Sequence, residues 1–284
     1  MWDLPDLDVA LLGDSFTHGY CVPPDRSFAS LIRKQVPRTL NLGMAGNGPL
    51  SELATLSELV PVRPPKVIVW FYWEGNDLTD LQRERKTPIV ANYLNEYFTQ
   101  DLLRDQDQVD RGIADEIPRL FQERRQHDEQ RPRNAARYAL AAALKLTAVR
   151  ERLGLVAGPT EEETATARDF DGANLEVFRR VMSEAQRRVN EWNGRLYFVY
   201  LPAWERFTRR YQSPGDEKRD DVLRIVRELG LPLIDTVPAF SAHDDPLALF
   251  PFRAPGHYND AGHRLVADEV LRYLNSNHPK RSSS

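Results

Sequence analysis

Residues 67–72, Val-Ile-Val-Trp-Phe-Tyr, constrain the fold of this chain more than any other stretch. A strand with apolar side chains on both faces is buried on both faces, which is typical of a parallel sheet covered by helices. The run stops at residues 74–77, Glu-Gly-Asn-Asp, so its carboxyl end opens into a polar loop. The stretch therefore predicts a central strand of an α/β domain.

Shorter apolar runs repeat this arrangement along the chain, and segments with helical spacing of apolar residues lie between them. Strands are predicted at residues 8–12, 39–42, 195–201 and 231–235. The alternation of strands and helices predicts an α/β fold with a doubly wound, open parallel sheet. In such a sheet ligands bind beyond the carboxyl ends of the strands.

Residues 79–172 depart from this alternation, because they are rich in Arg, Glu, Gln and Asp and contain no strand pattern. We expect a single domain over residues 1–284 with a helical subdomain inserted at about 79–172. Within the insertion, residues 133–153 combine basic side chains with an Ala/Leu face. Packing on the core is the preferred interpretation of that face, and contact with a membrane surface is the alternative.

Composition excludes several classes of protein. The net charge of −4 comes from 42 acidic and 38 basic residues without a block of one sign, so no nucleic-acid partner is expected. A single cysteine, Cys21, excludes an internal disulfide and is interpreted as a packing residue. No signal peptide and no apolar run of about 18 residues is present, which predicts a soluble chain, cytoplasmic by default, with its compartment left open.

The first predicted strand ends at Gly13-Asp14-Ser15, where a strand turns towards a helix. A serine in such a turn either caps the helix or exposes its hydroxyl as a nucleophile at the edge of the sheet. Three further loops favour the second interpretation. They place Gly43, Asn76 and His257 after or near other strand ends.

Together these loops resemble the four sequence blocks of the SGNH (GDSL-like) hydrolase superfamily. The blocks stand at residues 12–15 (Leu-Gly-Asp-Ser), 41–43 (Asn-Leu-Gly), 75–77 (Gly-Asn-Asp) and 256–259 (Gly-His-Tyr-Asn). The resemblance covers residues 7–78 and 174–275 and leaves out the insertion. In the third block Gly75 directly precedes Asn76, whereas the family usually has one residue between them.

The resemblance implies a flavodoxin-like fold and a serine hydrolase that needs neither a metal nor a cofactor. Ser15 would attack an ester carbonyl after His257 removes its proton. The Ser15 and Gly43 backbone N–H groups and the Asn76 side-chain amide would then stabilise the oxyanion.

The fourth block lacks the aspartate that the family has three residues before its histidine, since Ala254 occupies that position. Three explanations stay open. His257 works in a dyad oriented by a backbone carbonyl, it borrows a carboxylate, or the protein has lost activity. The carboxylates considered are Asp235, Asp244 and Asp245.

Five further residues near the strand ends are candidate substrate contacts, each with a capping or packing alternative. They are Asp14, His18, Trp73, Trp204 and Arg206. His263 is interpreted as structural. The predicted function is removal of a small acyl group, such as acetyl, from a carbohydrate or related ester. The alternatives are an O-acyltransferase that uses the same Ser/His site and a catalytically lapsed carbohydrate-binding module.

Overall fold

The computed structural model describes residues 6–60, 63–145, 161–208 and 215–277, with residues 127–145, 161–171 and 215–217 described by their backbone alone. Five strands form one parallel sheet in the order β2-β1-β3-β4-β5. The strands are β1 (Val9–Leu12), β2 (Thr39–Asn41), β3 (Val67–Trp73), β4 (Arg195–Leu201) and β5 (Leu233–Asp235). This is the flavodoxin-like strand order, so the predicted fold class is confirmed.

Helices connect and cover the strands. The helices are α1 (Ser15–His18), α2 (Phe28–Gln35), α3 (Pro49–Leu59), α4 (Asp77–Glu84), α5 (Pro88–Ala91), α6 (Gln106–Lys145), α7 (Glu161–Glu191), α8 (Gly215–Glu228), α9 (Val237–Ser241) and α10 (Asp260–Asn277). Short 3₁₀ turns lie at Pro24–Arg26, Asn92–Leu94, Trp204–Phe207, Pro246–Leu249 and Pro251–Arg253.

The two faces of the sheet bury two separate hydrophobic clusters, because alternate residues of a strand point to opposite faces. On one face Ile68 and Trp70 pack with residues of α3, the second half of α7, and α8. On the other face Val69 and Phe71 pack with residues of α2 and α10. The all-apolar character of β3 therefore follows from its burial on both sides, with Trp70 0% and Phe71 1% exposed.

Side-chain caps define the first residues of helices α2 and α10. Ser27 caps α2 by accepting a hydrogen bond of 3.2 Å from the Ser30 N–H. Asn259 Oδ1 accepts from the N–H groups of Ala261 and Gly262, at 3.0 and 3.2 Å, and so starts α10 directly after the fourth sequence block.

The chain divides into two compact units, Met1–Gln100 with Gly172–Ser284, and Asp101–Asp171. Residues 79–100 belong to the first unit, although the sequence pattern places the insertion from about residue 79. The reason is local packing. Tyr93 is 1% exposed, and its hydroxyl donates a hydrogen bond of 2.7 Å to Glu58 on α3.

The Ala/Leu face predicted at residues 133–153 lies outside the part of the chain whose side chains are described. Across the described residues, no helix combines the length and the apolar character that crossing a membrane requires.

Candidate active site

Ser15 begins α1 directly after the turn that follows β1. Gly13 has a φ of 153°, and a Cβ at this position would lie 2.2 Å from Thr17 Oγ1. Asp14 caps the helix, since its carboxylate accepts a hydrogen bond of 2.9 Å from the Phe16 N–H. The turn therefore holds the Ser15 hydroxyl at the carboxyl edge of the sheet, where this fold binds ligands.

His257 reaches Ser15 from the loop before α10, and its Nε2 lies 2.8 Å from Ser15 Oγ. A hydroxyl that donates to Nε2 needs a lone pair there, so the neutral imidazole carries its hydrogen on Nδ1. The half-buried ring packs against Phe16, with 4.6 Å between ring centroids. Burial lowers the pKa of His257, which favours the unprotonated form that a general base needs.

The other ring nitrogen of His257 faces Cys21, whose Sγ lies 3.8 Å from Nδ1. Cys21 is exposed and has a φ of 67°, in the left-handed region that few non-glycine residues occupy. Sequence reasoning assigned it to packing and missed this position. The contact joins residues 236 positions apart, and no local pattern indicates it.

None of the three carboxylates considered at the sequence level is hydrogen-bonded to His257 in the described part of the chain. The carboxylates of Asp235 and Asp245 each pair with an arginine, and Asp244 is exposed. Within the same residues, no backbone carbonyl accepts from the Nδ1 of His257 either. In the described residues, His257 thus contacts Ser15 through Nε2 and faces the sulfur of Cys21 through Nδ1.

Asp14 lies beneath Ser15 and is only 2% exposed. Its Oδ2 is 3.3 Å from Ser15 Oγ, and burial raises the pKa of Asp14 to about 6. The Ser15 hydroxyl has one hydrogen to donate, and the contact of 2.8 Å to His257 is the shorter one. The capping alternative for Asp14 is thus present in the structure, while its role as a substrate contact stays a prediction.

Two further buried carboxyl groups stand behind this turn. Glu52 is 1% exposed, and neither of its carboxyl oxygens has a hydrogen-bond partner among the described residues. Asp77 is fully buried and accepts a hydrogen bond of 2.9 Å from the Trp73 N–H. Burial, reinforced by repulsion from neighbouring carboxylates, raises the pKa of both groups well above its usual range. Both are therefore favoured in the neutral form.

Gly43 lies in the loop after β2 and contacts the carboxyl end of α1. Its N–H, predicted as an oxyanion donor, donates a hydrogen bond of 2.9 Å to Asn41 Oδ1. The Asn41 amide in turn donates to the Thr17 carbonyl at 2.8 Å. Asn41 thus links this loop to the helix that carries Ser15. The Gly43 N–H reaches an oxyanion only by sharing or exchanging its bond to Asn41.

Asn76 immediately precedes α4, in the middle of the third sequence block. Its Oδ1 is buried without a hydrogen-bond partner among the described residues. A side-chain amide offers donors on its nitrogen alone, so the nitrogen is the end suited to an oxyanion. The oxyanion roles of Ser15, Gly43 and Asn76 remain predictions.

Glu74 is the centre of a buried polar cluster beside the third block, with a side chain 6% exposed. It accepts hydrogen bonds from the Tyr200 hydroxyl at 2.6 Å and the Ala203 N–H at 2.7 Å. The Arg206 guanidinium, 10% exposed, also binds it, with an Nε–Oε1 distance of 2.8 Å. The arginine expected as a substrate contact is therefore committed to an ion pair that fixes the 3₁₀ turn after β4.

The remaining candidates occupy different positions. Trp73 packs its ring on Phe16, with centroids 4.6 Å apart, and Trp204 donates from Nε1 to the Arg253 carbonyl at 3.0 Å. His18 is exposed at the end of α1. His263 is fully buried in α10, and its Nδ1 accepts a hydrogen bond of 3.2 Å from the backbone of α2, as a structural role requires.

No group of three or more His, Cys, Asp or Glu side chains in the described ranges is placed to hold a metal ion. A scan against protein-family models gives no match. A search of curated proteins gives none either.

Solved structures do resemble this chain. A protein of the G-D-S-L family from Desulfitobacterium hafniense DCB-2 matches with a TM-score of 0.50 and 12% identity, over 95% of this chain and 100% of that chain. The lipase/acylhydrolase from Enterococcus faecalis matches with a TM-score of 0.51 and 13% identity, over 95% and 96%. The acetyl xylan esterase AlAXEase matches with a TM-score of 0.50 and 11% identity, over 94% and 100%. The resemblance expected from the four blocks is confirmed, and the chain has the fold of the SGNH (GDSL-like) hydrolase superfamily.

Proposed function

We propose that this protein is a serine-dependent ester hydrolase in which Ser15 is the nucleophile and His257 the general base. One observation carries the proposal, the distance of 2.8 Å between Ser15 Oγ and His257 Nε2. A nucleophile within hydrogen-bond reach of an unprotonated base is the arrangement that activates a serine hydroxyl.

The reaction follows from this geometry. Ser15 Oγ attacks the ester carbonyl while its proton passes to His257 Nε2, and the carbonyl oxygen gains the negative charge. The imidazolium then gives that proton to the departing alcohol, which leaves an acyl group on Ser15. A water molecule attacks the acyl-enzyme in the same way, with His257 again as base, and releases the acid.

Among the described residues no carboxylate reaches His257 Nδ1, and this has a consequence for the rate. In serine proteases the aspartate holds the tautomer and stabilises the imidazolium, and its replacement by asparagine lowers kcat about 10⁴-fold. Here Cys21 Sγ faces that nitrogen instead. We therefore expect turnover well below that of a complete triad.

A small acyl group, such as acetyl, on a saccharide is the proposed substrate class. The acetyl xylan esterase that shares this fold supports the choice, together with the expectation drawn from the four sequence blocks. Transfer of the acyl group to a sugar hydroxyl uses the same acyl-enzyme, so it is an outcome of the test rather than a separate mechanism.

The test is hydrolysis of 4-nitrophenyl acetate by the wild type and by Ser15→Ala and His257→Ala, with folding checked by circular dichroism. Ser241→Ala and His243→Ala are matched controls, since both residues are exposed and outside the site. We expect Ser15→Ala to fall to background, His257→Ala to lose at least about 100-fold, and both controls to keep full activity.

A fluorophosphonate probe detected by intact mass adds a second readout, with one adduct expected on the wild type and none on Ser15→Ala. Equal rates for the wild type and Ser15→Ala would refute the proposed nucleophile. Labelling without turnover would indicate a lapsed enzyme, and acetylation of an added sugar in competition with water would indicate a transferase.

A further inference from the structure

A cavity of about 590 Å³ opens beside the proposed catalytic dyad. Four of its lining residues belong to the site already described. Gly43 is a predicted oxyanion donor, and Asn41 accepts a hydrogen bond from its N–H. Cys21 contacts His257, and His18 is a candidate substrate contact. Ligand pockets in proteins span roughly 300–1,000 Å³, and an acetyl group fills only a small part of such a volume. The cavity therefore has room for a larger part of the substrate.

Arg33 lies on α2 and forms part of the cavity wall. Its Nε donates a hydrogen bond of 3.0 Å to the Thr39 carbonyl, which fixes one edge of the guanidinium. Within the described ranges Arg33 pairs with no carboxylate, and burial lowers its pKa. A partly buried cation without a counterion is costly unless a ligand supplies the negative charge.

The rest of the lining suits an anion as well. Where the structure describes the cavity lining it includes no Asp or Glu, so no negative charge of this lining opposes an anionic group. Hydroxyl, amide and imidazole groups are present instead, from Ser30, Asn41 and His18. Arginine binds carboxylates with parallel N–H donors from a planar fork, and this geometry distinguishes it from lysine.

We propose that this cavity binds a carboxylate group carried by the ester substrate, and that Arg33 is the residue that recognises it. The inference rests on the proposed ester hydrolysis at Ser15 and adds a charge requirement to it. The substrate is then an acidic ester, with its negative charge on either the acyl part or the alcohol part.

Three esters separate these possibilities. 4-Nitrophenyl acetate is neutral, 4-nitrophenyl hydrogen glutarate carries a carboxylate on the acyl side, and 4-acetoxybenzoate carries one on the alcohol side. Each is measured with the wild type, Arg33→Gln, Arg33→Lys and Lys34→Gln. Lys34 is the matched control, because it lies next to Arg33 on α2, is exposed, and does not line the cavity.

We expect Arg33→Gln to raise KM for one of the two acidic esters at least about 10-fold, as loss of a charge-assisted hydrogen bond would. The ratio of KM for that acidic ester to KM for the neutral ester is the measured quantity, and it should rise by the same factor relative to the wild type. Lys34→Gln should match the wild type on all three esters. Arg33→Lys keeps the charge and should retain part of the preference for that acidic ester over the neutral one. If Arg33→Gln does not fold, Arg33→Lys still tests the site, because lysine lacks the planar fork of arginine and should bind the carboxylate less well.

The outcomes distinguish this inference from the proposed function. If the wild type hydrolyses none of the esters and takes up no fluorophosphonate, the proposed function fails first. If Ser15-dependent hydrolysis of the neutral ester is present but Arg33→Gln changes KM for all three esters by the same factor, the carboxylate site is refuted while the proposed hydrolase function stands. An equal effect of Lys34→Gln would refute it too, because the effect would then be one of net charge.

Discussion

Replacement of Gly43 by alanine tests whether the loop after β2 sets the position of Ser15. A Cβ at residue 43 would lie 2.5 Å from Thr17 Cβ and 2.6 Å from His18 N. Carbon atoms in contact are normally about 3.5 Å apart, so α1 and this loop must separate by close to 1 Å. The backbone of Gly43 is outside the left-handed region, and the effect is therefore purely steric.

The magnitude follows from the position of α1, which starts at Ser15. A displacement of about 1 Å at a reacting group can cost about 100-fold in rate, and overpacking of this kind costs about 1–3 kcal/mol of stability. We expect Gly43→Ala to lower kcat on 4-nitrophenyl acetate about 100-fold and to lower the free energy of unfolding by about 1–3 kcal/mol.

Gly46→Ala is the control in the same loop. Gly46 has a φ of 89°, and a Cβ there would meet no atom within 4 Å. Alanine at this position is strained by about 1–3 kcal/mol but displaces nothing, so kcat should stay near that of the wild type. Urea unfolding and steady-state kinetics measure both quantities. A kcat for Gly43→Ala within about 3-fold of the wild type would refute the steric argument.

Three further predictions concern the dyad and its surroundings. Cys21→Asp should raise kcat/KM about 10-fold or more, because a carboxylate reaches further than the sulfur that now lies 3.8 Å from Nδ1, whereas Cys21→Ala should not raise it. Steady-state kinetics of the two variants give the comparison. The kcat/KM of the wild type should rise with pH through the pKa of His257, with the midpoint of the rise below the usual value of about 6.5, because burial lowers that pKa and the base must be unprotonated. A pH–rate profile with its midpoint above 6.5 would contradict this. Arg206→Ala should destabilise the fold by about 3–5 kcal/mol by leaving Glu74 buried without its cation, with a lower midpoint of urea unfolding as the readout. A rise in KM without loss of stability would instead support Arg206 as a substrate contact.

The fold could be predicted from sequence because its determinants are local. The run at residues 67–72 is apolar on both faces, and the sheet buries it on both faces. The turn glycine and capping carboxylate of residues 13–15 likewise act within a few residues of Ser15. Sequence patterns a few residues long are therefore enough to place Ser15, Gly43 and Asn76 after β1, β2 and β3.

The surroundings of these residues could not be predicted, because they depend on contacts between distant segments. Glu74 binds Arg206 across neighbouring parallel strand ends, and no spacing rule joins them. The engagement of the Gly43 N–H by Asn41 depends on the loop conformation rather than on residue type. That no carboxylate of the described residues pairs with Arg33 becomes visible only once the neighbours of α2 are known.

The buried carboxyl groups near the Ser15 turn and the imidazole of His257 respond to pH in opposite ways: the first affect stability, the second affects catalysis. Asp14, with a pKa of about 6, and Glu52 and Asp77, with pKa values well above their usual range, hold protons that an unfolded chain releases near pH 4. Folding therefore takes up protons at these three groups, and their contribution to stability falls as pH rises above about 4. Catalysis changes in the opposite direction, because the fraction of His257 that is unprotonated and can act as a base increases as pH rises. Between about pH 4 and 6 a rise in activity through His257 would then coincide with a loss of the stability that Asp14 contributes.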